Sequence, residues 1–325
     1  MRLCEHPDFD QAIQRAAEHF KARGLRPAIV EKDYYVTEAL REVAAAAGDH
    51  VIFKGGTSLS KGWGLIERFS EDIDLFLDPR SFKPPLVGKK LDRGLKWLRD
   101  VVLGFGALRH VPQESRTFGG SGRSDRFEYS QVFAAPGEVK NQVLLESGIA
   151  SGREPTEVRS LSSYVAQFLA ATKTTLGATD ERPFEMTLLH FRRTFVEKLF
   201  AIHGKVEKVQ RDGTPLGSYA RHDYDLYQLA GHDEVRAMLA SSEYRQIQID
   251  YDAISREHFP RDYACPEGMD FTKSQALFPS PALSQQLGAE YAEQCRQLCF
   301  GAFPTWRDVL ARLAELRNLL RERSP

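Results

Sequence analysis

The chain has 325 residues, 42% of them hydrophobic, which is enough for one large or two medium-sized globular domains with buried cores. Its 44 basic and 45 acidic residues give a net charge of −1, which excludes a general electrostatic attraction to nucleic acid or to membrane surfaces. Any site for a polyanion must therefore be local.

The sequence carries no pattern of a targeting segment or of a cysteine-bound metal. Its opening residues, MRLCEHPDFD, lack the apolar core of a signal peptide, and no apolar run is long enough to span a bilayer. Of the four cysteines only Cys295 and Cys299 are close in sequence, and a spacing of one helical turn is not that of a metal knuckle. We therefore expect a cytoplasmic protein with free thiols and no membrane contact.

Two amphipathic helices are predicted before the first strand. Apolar residues at helical spacing predict one helix over residues 8 to 22 and a second over residues 29 to 47. In the second helix, Glu31, Lys32 and Asp33 would ordinarily form a solvated charged face.

Residues 51 to 77 predict a strand, a turn, a helix and a second strand. An apolar run stops at Gly55 and Gly56, where adjacent glycines permit a sharp turn. Thr57 and Ser58 follow at the position where a hydroxyl caps a helix and where the free amides of the first turn attract anions. A phosphate would fit at this turn.

The second strand begins with two acids on alternate residues. In a strand, Asp72 and Asp74 point to one face while Ile73 points to the core. Two carboxylates on one face can hold Mg²⁺, which in turn bridges the phosphates of a nucleoside triphosphate (NTP). The glycine turn alone, or the alternating acids alone, would more often be structural.

A helix and a basic, glycine-containing segment follow. Leucines on one side predict a helix over residues 91 to 103. Residues 80 to 126 hold eleven basic and four acidic residues, which makes them a candidate for binding a polyanion. Within them, residues 113 to 126 have little means of packing and are predicted as a mobile loop, with solvation or polyanion contact as open alternatives.

A β-hairpin is predicted from two strand patterns, residues 127 to 133 and 139 to 145, separated by Pro136-Gly137. Glu146 ends the second strand, and no other apolar strand pattern downstream ends in an acid placed in this way. A solvated strand end is the plain alternative for this residue.

Strand signals fade after Pro155, which predicts a domain boundary there, with residues 1 to 155 and 156 to 325 as the two domains. The second domain is predicted to be mostly helical. Its first informative helix spans residues 184 to 203. Lys198 lies in the apolar stripe of that helix, so its ammonium needs a carboxylate or phosphate partner unless it reaches the surface.

A helix predicted over residues 218 to 229 concentrates charge at its start. Its sequence, SYARHDYDLYQL, contains Arg221, His222, Asp223 and Asp225. An arginine there suits a phosphate ligand, whereas a lone histidine is usually structural.

The segment FKGGTSLSKGWGLIERFSEDIDL, residues 53 to 75, resembles the first motif block of the AbiEii-type nucleotidyltransferase toxins. These are the toxin halves of type IV abortive-infection toxin–antitoxin pairs, within the polymerase-β-like nucleotidyltransferase superfamily, and the MenT toxins are more distant relatives. Three further stretches resemble the family: residues 31 to 36, Glu197-Lys198 and residues 221 to 226.

The resemblance implies an α+β fold. An amino-terminal polymerase-β-like nucleotidyltransferase domain, a mixed sheet flanked by helices, would precede a mostly helical domain that contributes to the active-site cleft. The implied catalytic residues are Asp72, Asp74, Glu146, Lys198 and Asp225, and the implied ligands of Mg²⁺ are Asp72, Asp74 and Glu146. The implied nucleotide-binding residues are Gly55, Gly56, Thr57, Ser58, Lys61, Arg221 and His222.

Two assignments stay open within the resemblance. Lys32 either borders the nucleotide cleft or belongs to a solvated helix face. Many relatives have a Lys-Asp pair where this chain has Arg221-His222, so either Asp223 or Asp225 could be the functional acid.

The resemblance implies transfer of a nucleoside monophosphate from an NTP to RNA, with the 3′ end of tRNA as the expected acceptor. Growth arrest during phage infection would result, and an antitoxin would be encoded nearby. One alternative is transfer to a small molecule such as an antibiotic, and another is a catalytically silent RNA- or protein-binding module. The basic segment favours RNA over a small molecule, and the presence of Asp72, Asp74 and Lys198 argues against a silent module.

Overall fold

The computed structural model describes residues 1–70, 72–133, 139–260, 263, 265–266 and 268–321. The chain forms two compact units, Met1–Leu189 and His190–Pro325. Within the described ranges, no helix is both long enough and apolar enough to cross a membrane.

The first unit combines helices and strands. Its described α-helices are α1 (Phe9–His19), α2 (Pro27–Ala47), α3 (Gly55–Lys61), α4 (Lys89–Leu103) and α5 (Tyr164–Ala171). Its described strands are β1 (Val51–Lys54), β2 (Asp72–Leu77), β3 (Arg109–His110), β4 (Arg116–Phe118), β5 (Gly122–Glu128), β6 (Gln142–Gly148), β7 (Thr156–Leu161) and β8 (Phe184–Leu189).

These strands form one mixed sheet in the order β3-β5-β6-β2-β1-β8-β7, with β4 beside β5. Strands β1 and β2 are antiparallel, whereas β2 runs parallel to β6 and β1 runs parallel to β8. The predicted α+β class, with a mixed sheet flanked by helices, is confirmed.

Helix α4 packs on the face of the sheet that points away from the acids of β2. A Cβ atom at Gly94 would lie 3.0 Å from a methyl carbon of Leu77, which is fully buried. Because side chains alternate along a strand, Leu77 and Asp74 point to opposite faces. The basic side chains of α4 therefore lie on the other side of β2 from Asp72 and Asp74.

The first unit extends further along the chain than the boundary predicted near residue 155. Strands β7 and β8 are antiparallel neighbours, and β8 joins them to the sheet beside β1. Residues 184 to 189, predicted as the start of a helix, form β8 because they hydrogen-bond in register with β7. The helix begins at Phe191, after the His190 side chain accepts a hydrogen bond from the Arg192 amide (3.3 Å).

The prediction of a mobile loop over residues 113 to 126 is wrong. Strands β4 and β5 pair there as a β-hairpin, and Gly119 and Gly120 turn between them with φ angles of 55° and 79°. The buried Arg123 donates two hydrogen bonds to the Asp125 carboxylate (2.9 and 2.7 Å). Arg123 is thus paired within β5 and is not displayed to a polyanion.

The hairpin predicted after residue 127 is confirmed in its pairing but not in its bounds. Strands β5 and β6 pair antiparallel, but β5 begins and ends earlier than predicted and β6 begins and ends later. The predicted turn at Pro136-Gly137 lies outside the described residues.

The second unit is helical in its described residues, as predicted. Its α-helices are α6 (Phe191–Asp212), α7 (Arg221–Ala230), α8 (Asp233–Leu239), α9 (Ser242–His258), α10 (Pro281–Leu298) and α11 (Trp306–Leu316). Helices α8 and α9 are not predicted by the sequence pattern. Helix α7 begins within the predicted span and carries the Arg-His-Asp-Tyr-Asp segment.

Candidate active site

Three acids project from adjacent strands on one face of the sheet. Asp72 and Asp74 lie on β2, and Asp74 is the register partner of Glu146 on the parallel strand β6. Because alternate residues of a strand and register partners of neighbouring strands share a face, the three side chains lie on one side of the sheet. Glu146 is exposed and the aspartates are partly exposed, whereas Ile73 and Leu145 on the opposite face are fully buried.

Two glycines allow other side chains to approach this face closely. A methyl group at Gly55 would overlap the Asp74 carboxylate, and its φ of 76° is one that other residues rarely adopt. A Cβ at Gly56 would lie 2.7 Å from a guanidinium nitrogen of Arg68 and 2.9 Å from the Ser70 hydroxyl. The glycine pair therefore has a packing role in addition to the predicted phosphate site.

The hydroxyls of Thr57 and Ser58 are engaged within the protein. Helix α3 begins at Gly55, so the prediction that these residues cap it is wrong. Thr57 donates to the Asp72 carbonyl (2.6 Å) and Ser58 donates to the Gly55 carbonyl (2.9 Å). Both side chains are buried. Contact of this turn with a phosphate would therefore come from backbone amides.

Lys61, predicted to bind nucleotide, is ion-paired within the first unit. Its ammonium lies 2.6 Å from a carboxylate oxygen of Asp33 and donates to the Ser162 carbonyl (3.3 Å). Asp33 also accepts a hydrogen bond from the Tyr164 amide (2.8 Å), at the start of α5. Lys61 thus ties α3 to α2 and α5, and its contact with nucleotide stays a prediction from the resemblance.

The acid and base that precede Asp33 in α2 are buried, so the expectation of a solvated face is wrong. Lys32 donates to the Lys140 carbonyl (3.0 Å) and is 1% exposed. The two carboxylate oxygens of Glu31 accept hydrogen bonds from the amides of Val132 (2.7 Å) and Phe133 (3.0 Å). Burial raises the pKa of Glu31. These contacts fasten α2 to both ends of the connection between β5 and β6.

Two cations near the acids, Lys54 and Arg68, are not predicted from the sequence. Lys54 ends β1 as the register partner of Asp74, and its ammonium donates to the Ser151 hydroxyl (3.1 Å). Arg68, which is 2% exposed, donates to the Phe69 carbonyl (3.0 Å). Lys54 could have been found by pairing β1 with β2 and comparing which side chains of the two strands point to the same face. No sequence pattern indicates a buried arginine in a loop.

The second unit holds a polar cluster of its own. The Lys198 ammonium on α6 lies 2.8 Å from a carboxylate oxygen of Asp225 on α7 and 3.2 Å from Nδ1 of His222. Lys198 is 6% exposed and Asp225 is fully buried. Burial, and then the Lys198 charge, lower the pKa of His222 to about 3, so the imidazole is neutral near pH 7. The carboxylate partner expected for Lys198 is therefore Asp225.

Asp225, the implied catalytic acid, and Asp223, its open alternative, have different environments. Asp223 is 1% exposed, and within the described part of the chain neither of its carboxyl oxygens has a hydrogen-bond partner. Burial raises the pKa of Asp223 well above its ordinary value, and Cys295 and Asp225 raise it further. Burial thus favours the protonated form of Asp223, whereas Asp225 pairs with a cation. Arg221 opens α7 with a partly exposed side chain.

The carboxylate face has donor chemistry that suits Mg²⁺. This ion prefers oxygen ligands and is usually held by one or two carboxylates, while substrate phosphates and water complete its shell. Among the described residues, no group of three or more His, Cys, Asp or Glu side chains lies close enough to hold a metal ion. The three acids predicted to bind Mg²⁺, Asp72, Asp74 and Glu146, are therefore not close enough in this structure to hold the ion by themselves, and a site on this face would need substrate phosphates to complete it.

Comparison with known proteins gives one family. The family model for the nucleotidyl transferase AbiEii toxin of type IV toxin–antitoxin systems matches residues 38–312. No curated protein matches the chain. Among solved structures, the chain is similar to MenT4, a nucleotidyltransferase toxin from Mycobacterium tuberculosis H37Rv, with 17% identity, a TM-score of 0.49, and coverage of 93% of this chain and 98% of that chain.

Proposed function

Since the chain belongs to the AbiEii family of nucleotidyl transferase toxins of type IV toxin–antitoxin systems, we propose that it transfers a nucleoside monophosphate from an NTP to a hydroxyl group of RNA. The proposed acceptor is the 3′ end of tRNA, and the proposed metal is Mg²⁺. Membership of an enzyme family argues against the interpretation as a catalytically silent binding module.

The register of β2 and β6 is the observation that carries the proposal. It sets Asp74 opposite Glu146 and leaves Asp72 on the same accessible face. Mg²⁺ bound there would neutralise phosphate charge and stabilise the pyrophosphate as it leaves. The carboxylates would bind and orient the reacting phosphates through it, and Gly55 would hold the Asp74 side chain in place by close packing.

Lys198 and Asp225 are proposed to act on phosphate charge from the second unit. Asp225 holds the Lys198 ammonium at 2.8 Å, and a neutral His222 contacts the same ammonium without adding positive charge. A lysine fixed in this way would bind a phosphate as a point charge. Arg221, on the first residue of α7, is proposed as a second phosphate ligand.

A labelling assay tests the activity. The full-length protein is incubated with each radiolabelled NTP in turn, Mg²⁺ and total tRNA, and the RNA is resolved on a denaturing gel. We expect one or more NTPs to label tRNA, Asp74→Asn to abolish labelling, and the exposed α4 variant Asp100→Asn to retain it. Labelling by Asp74→Asn at the wild-type rate would remove the carboxylate face from the reaction.

The family indicates a toxin of a toxin–antitoxin system, and we propose a more specific biological role. An RNA-modifying toxin would act in the cytoplasm, arrest growth during phage infection and be countered by an antitoxin encoded nearby. Expression of the chain alone should arrest growth, and co-expression of the neighbouring reading frame should restore it. Growth that is unaffected by active, labelling-competent protein would contradict the role as a toxin.

A further inference from the structure

We propose that a pocket in the second unit binds one unpaired nucleotide, with its base among aromatic side chains and its phosphate at two lysines. That this nucleotide is a substrate of the transfer reaction rests on the proposed function. That the pocket binds a nucleotide at all rests on the geometry of the pocket. The aromatic pocket, as it is called below, has these aromatic and basic residues among those that line it: Phe200, Lys205, Lys208, Tyr219, Tyr251 and Phe259.

The pocket offers flat aromatic surface to solvent. Tyr219 is 42% exposed and Phe259 is 43% exposed, and both are large side chains that a core would normally bury. In the same pocket, Phe200 and Tyr251 stack with ring centroids 4.5 Å apart and planes at 24°. Exposed rings that line one pocket with a stacked pair offer flat faces on which a nucleobase of any type can stack.

Lysines line the same pocket. The Lys205 ammonium lies 5.7 Å from the centroid of the Tyr219 ring, and Lys208 follows three residues later, on the same side of α6. Aromatic faces combined with lysines are the chemistry by which proteins hold single-stranded nucleic acid: bases stack and cations meet the backbone. A groove for an apolar peptide would not require the two cations.

The size of the pocket limits what enters it. Its volume is about 260 Å³. Cavities that enclose a whole small-molecule ligand usually have about 300 to 1,000 Å³. The pocket is therefore suited to one base, with the sugar and phosphate outside at the lysine side.

The pocket adjoins the polar cluster of the second unit. The Tyr219 ring lies 5.3 Å from the His222 ring, at 85°, and Nδ1 of His222 lies 3.2 Å from the Lys198 ammonium. A base stacked on Tyr219 would thus be one side chain away from Lys198. The stacked base would belong either to the NTP or to the unpaired end of the acceptor RNA, since both present a base next to a phosphate.

Binding measurements without catalysis separate these sources. The full-length protein is titrated, in the absence of Mg²⁺, into a fluorescein-labelled single-stranded oligouridylate and, separately, into a fluorescent ATP analogue, and anisotropy is recorded. The variants are Tyr219→Ala, Tyr219→Phe, which keeps the ring, and Lys205→Gln. Lys21→Gln, on an exposed lysine paired with Glu18 in the first unit, controls for loss of one positive charge. Circular dichroism confirms that each variant is folded.

We expect Tyr219→Ala to weaken binding of one of the two probes by about 5- to 150-fold, the range for loss of one stacked base. Tyr219→Phe should stay close to the wild type. If the base comes from the RNA strand, Lys205→Gln should make the plot of log K against log salt concentration for oligouridylate less steep. The slope should fall in magnitude by about 0.7 per lost phosphate contact, while Lys21→Gln should leave the slope unchanged.

Loss of oligouridylate binding assigns the pocket to the acceptor, and loss of binding of the ATP analogue assigns it to the NTP. If folded Tyr219→Ala binds both probes with unchanged affinity, the proposal that this pocket binds a nucleotide is wrong, even if the wild-type protein labels tRNA. Conversely, Tyr219-dependent binding by a protein that labels nothing would leave the pocket standing and reject the proposed transfer.

Discussion

Replacing Lys198 with alanine should destabilise the protein strongly, because it removes one partner of a buried ion pair. Lys198 is 6% exposed, Asp225 is fully buried, and their charged atoms are 2.8 Å apart. Removal of one partner leaves the other charge buried without compensation, which typically costs about 3–5 kcal/mol. For a unit of this size, that loss corresponds to a fall in melting temperature of about 6–20 °C.

A double-mutant cycle measures this coupling by thermal melting. Lys198→Ala, Asp225→Ala and the double variant are compared, with Lys21→Ala in an exposed ion pair as the control. The double variant should be less destabilised than the sum of the single variants, and Lys21→Ala should melt like the wild type. A melting temperature of Lys198→Ala within about 2 °C of wild type would refute the buried pair.

The stability of Lys198→Ala does not by itself separate a catalytic from a structural role for this lysine. Removal of Lys198 destabilises the protein whether this lysine contacts phosphate or only neutralises Asp225. The distinction lies in the labelling rate of the folded fraction at low temperature. A contact with phosphate predicts a higher NTP requirement and a lower rate, whereas a purely structural lysine predicts normal labelling.

Three further variants test the packing around the acids and the buried charges. Gly55→Ala should abolish labelling by displacing the Asp74 carboxylate, whereas Gly64→Ala, also at positive φ but in open space, should keep the rate; equal rates would contradict the close packing. Arg123→Ala should lower the free energy of unfolding by about 3–5 kcal/mol in urea, and the exposed Arg116→Ala should not. Asp223→Asn should gain stability over the wild type as pH rises above about 3.9, the ordinary pKa of an aspartate, because the wild-type native state retains a proton that the unfolded chain releases. A pH-independent difference would contradict the raised pKa of Asp223.

The local part of the site could be predicted from the sequence. The bounds of β2 follow from an apolar strand that opens with alternating acids, and the face shared by Asp72 and Asp74 follows from the same alternation. Assignment of Glu146 to that face is consistent with the register of β6 and β2, although its role in metal binding stays a prediction.

The predictions from sequence are wrong where pairing with a distant strand determines the structure. Residues 184 to 189 have apolar spacing that also suits the helix that follows them, and only their pairing with β7 makes them a strand. Glycines near residue 120 indicated a loop, although they form the turn of a hairpin whose Arg123–Asp125 pair is buried. Periodicity within a segment cannot report on a partner strand elsewhere in the chain.

Side-chain partners were the least predictable feature. The hydroxyls of Thr57 and Ser58 bond to carbonyls, and Lys61 bonds to Asp33, so residue types that suit a phosphate are satisfied within the fold. The choice between Asp223 and Asp225 likewise depends on which carboxylate reaches Lys198. Such pairings depend on the tertiary packing of several elements.

The most direct test of the account is the role of Glu146, because only the strand register brings this residue beside Asp74. Labelling of tRNA is measured under single-turnover conditions with Glu146→Gln, and with Glu185→Gln, an exposed glutamate on β8, as the matched control. We expect a loss of about 100-fold or more for Glu146→Gln, because removal of a carboxylate charge weakens the metal site, and a normal rate for Glu185→Gln. A wild-type rate for folded Glu146→Gln would contradict a catalytic centre built on the β2 and β6 carboxylates.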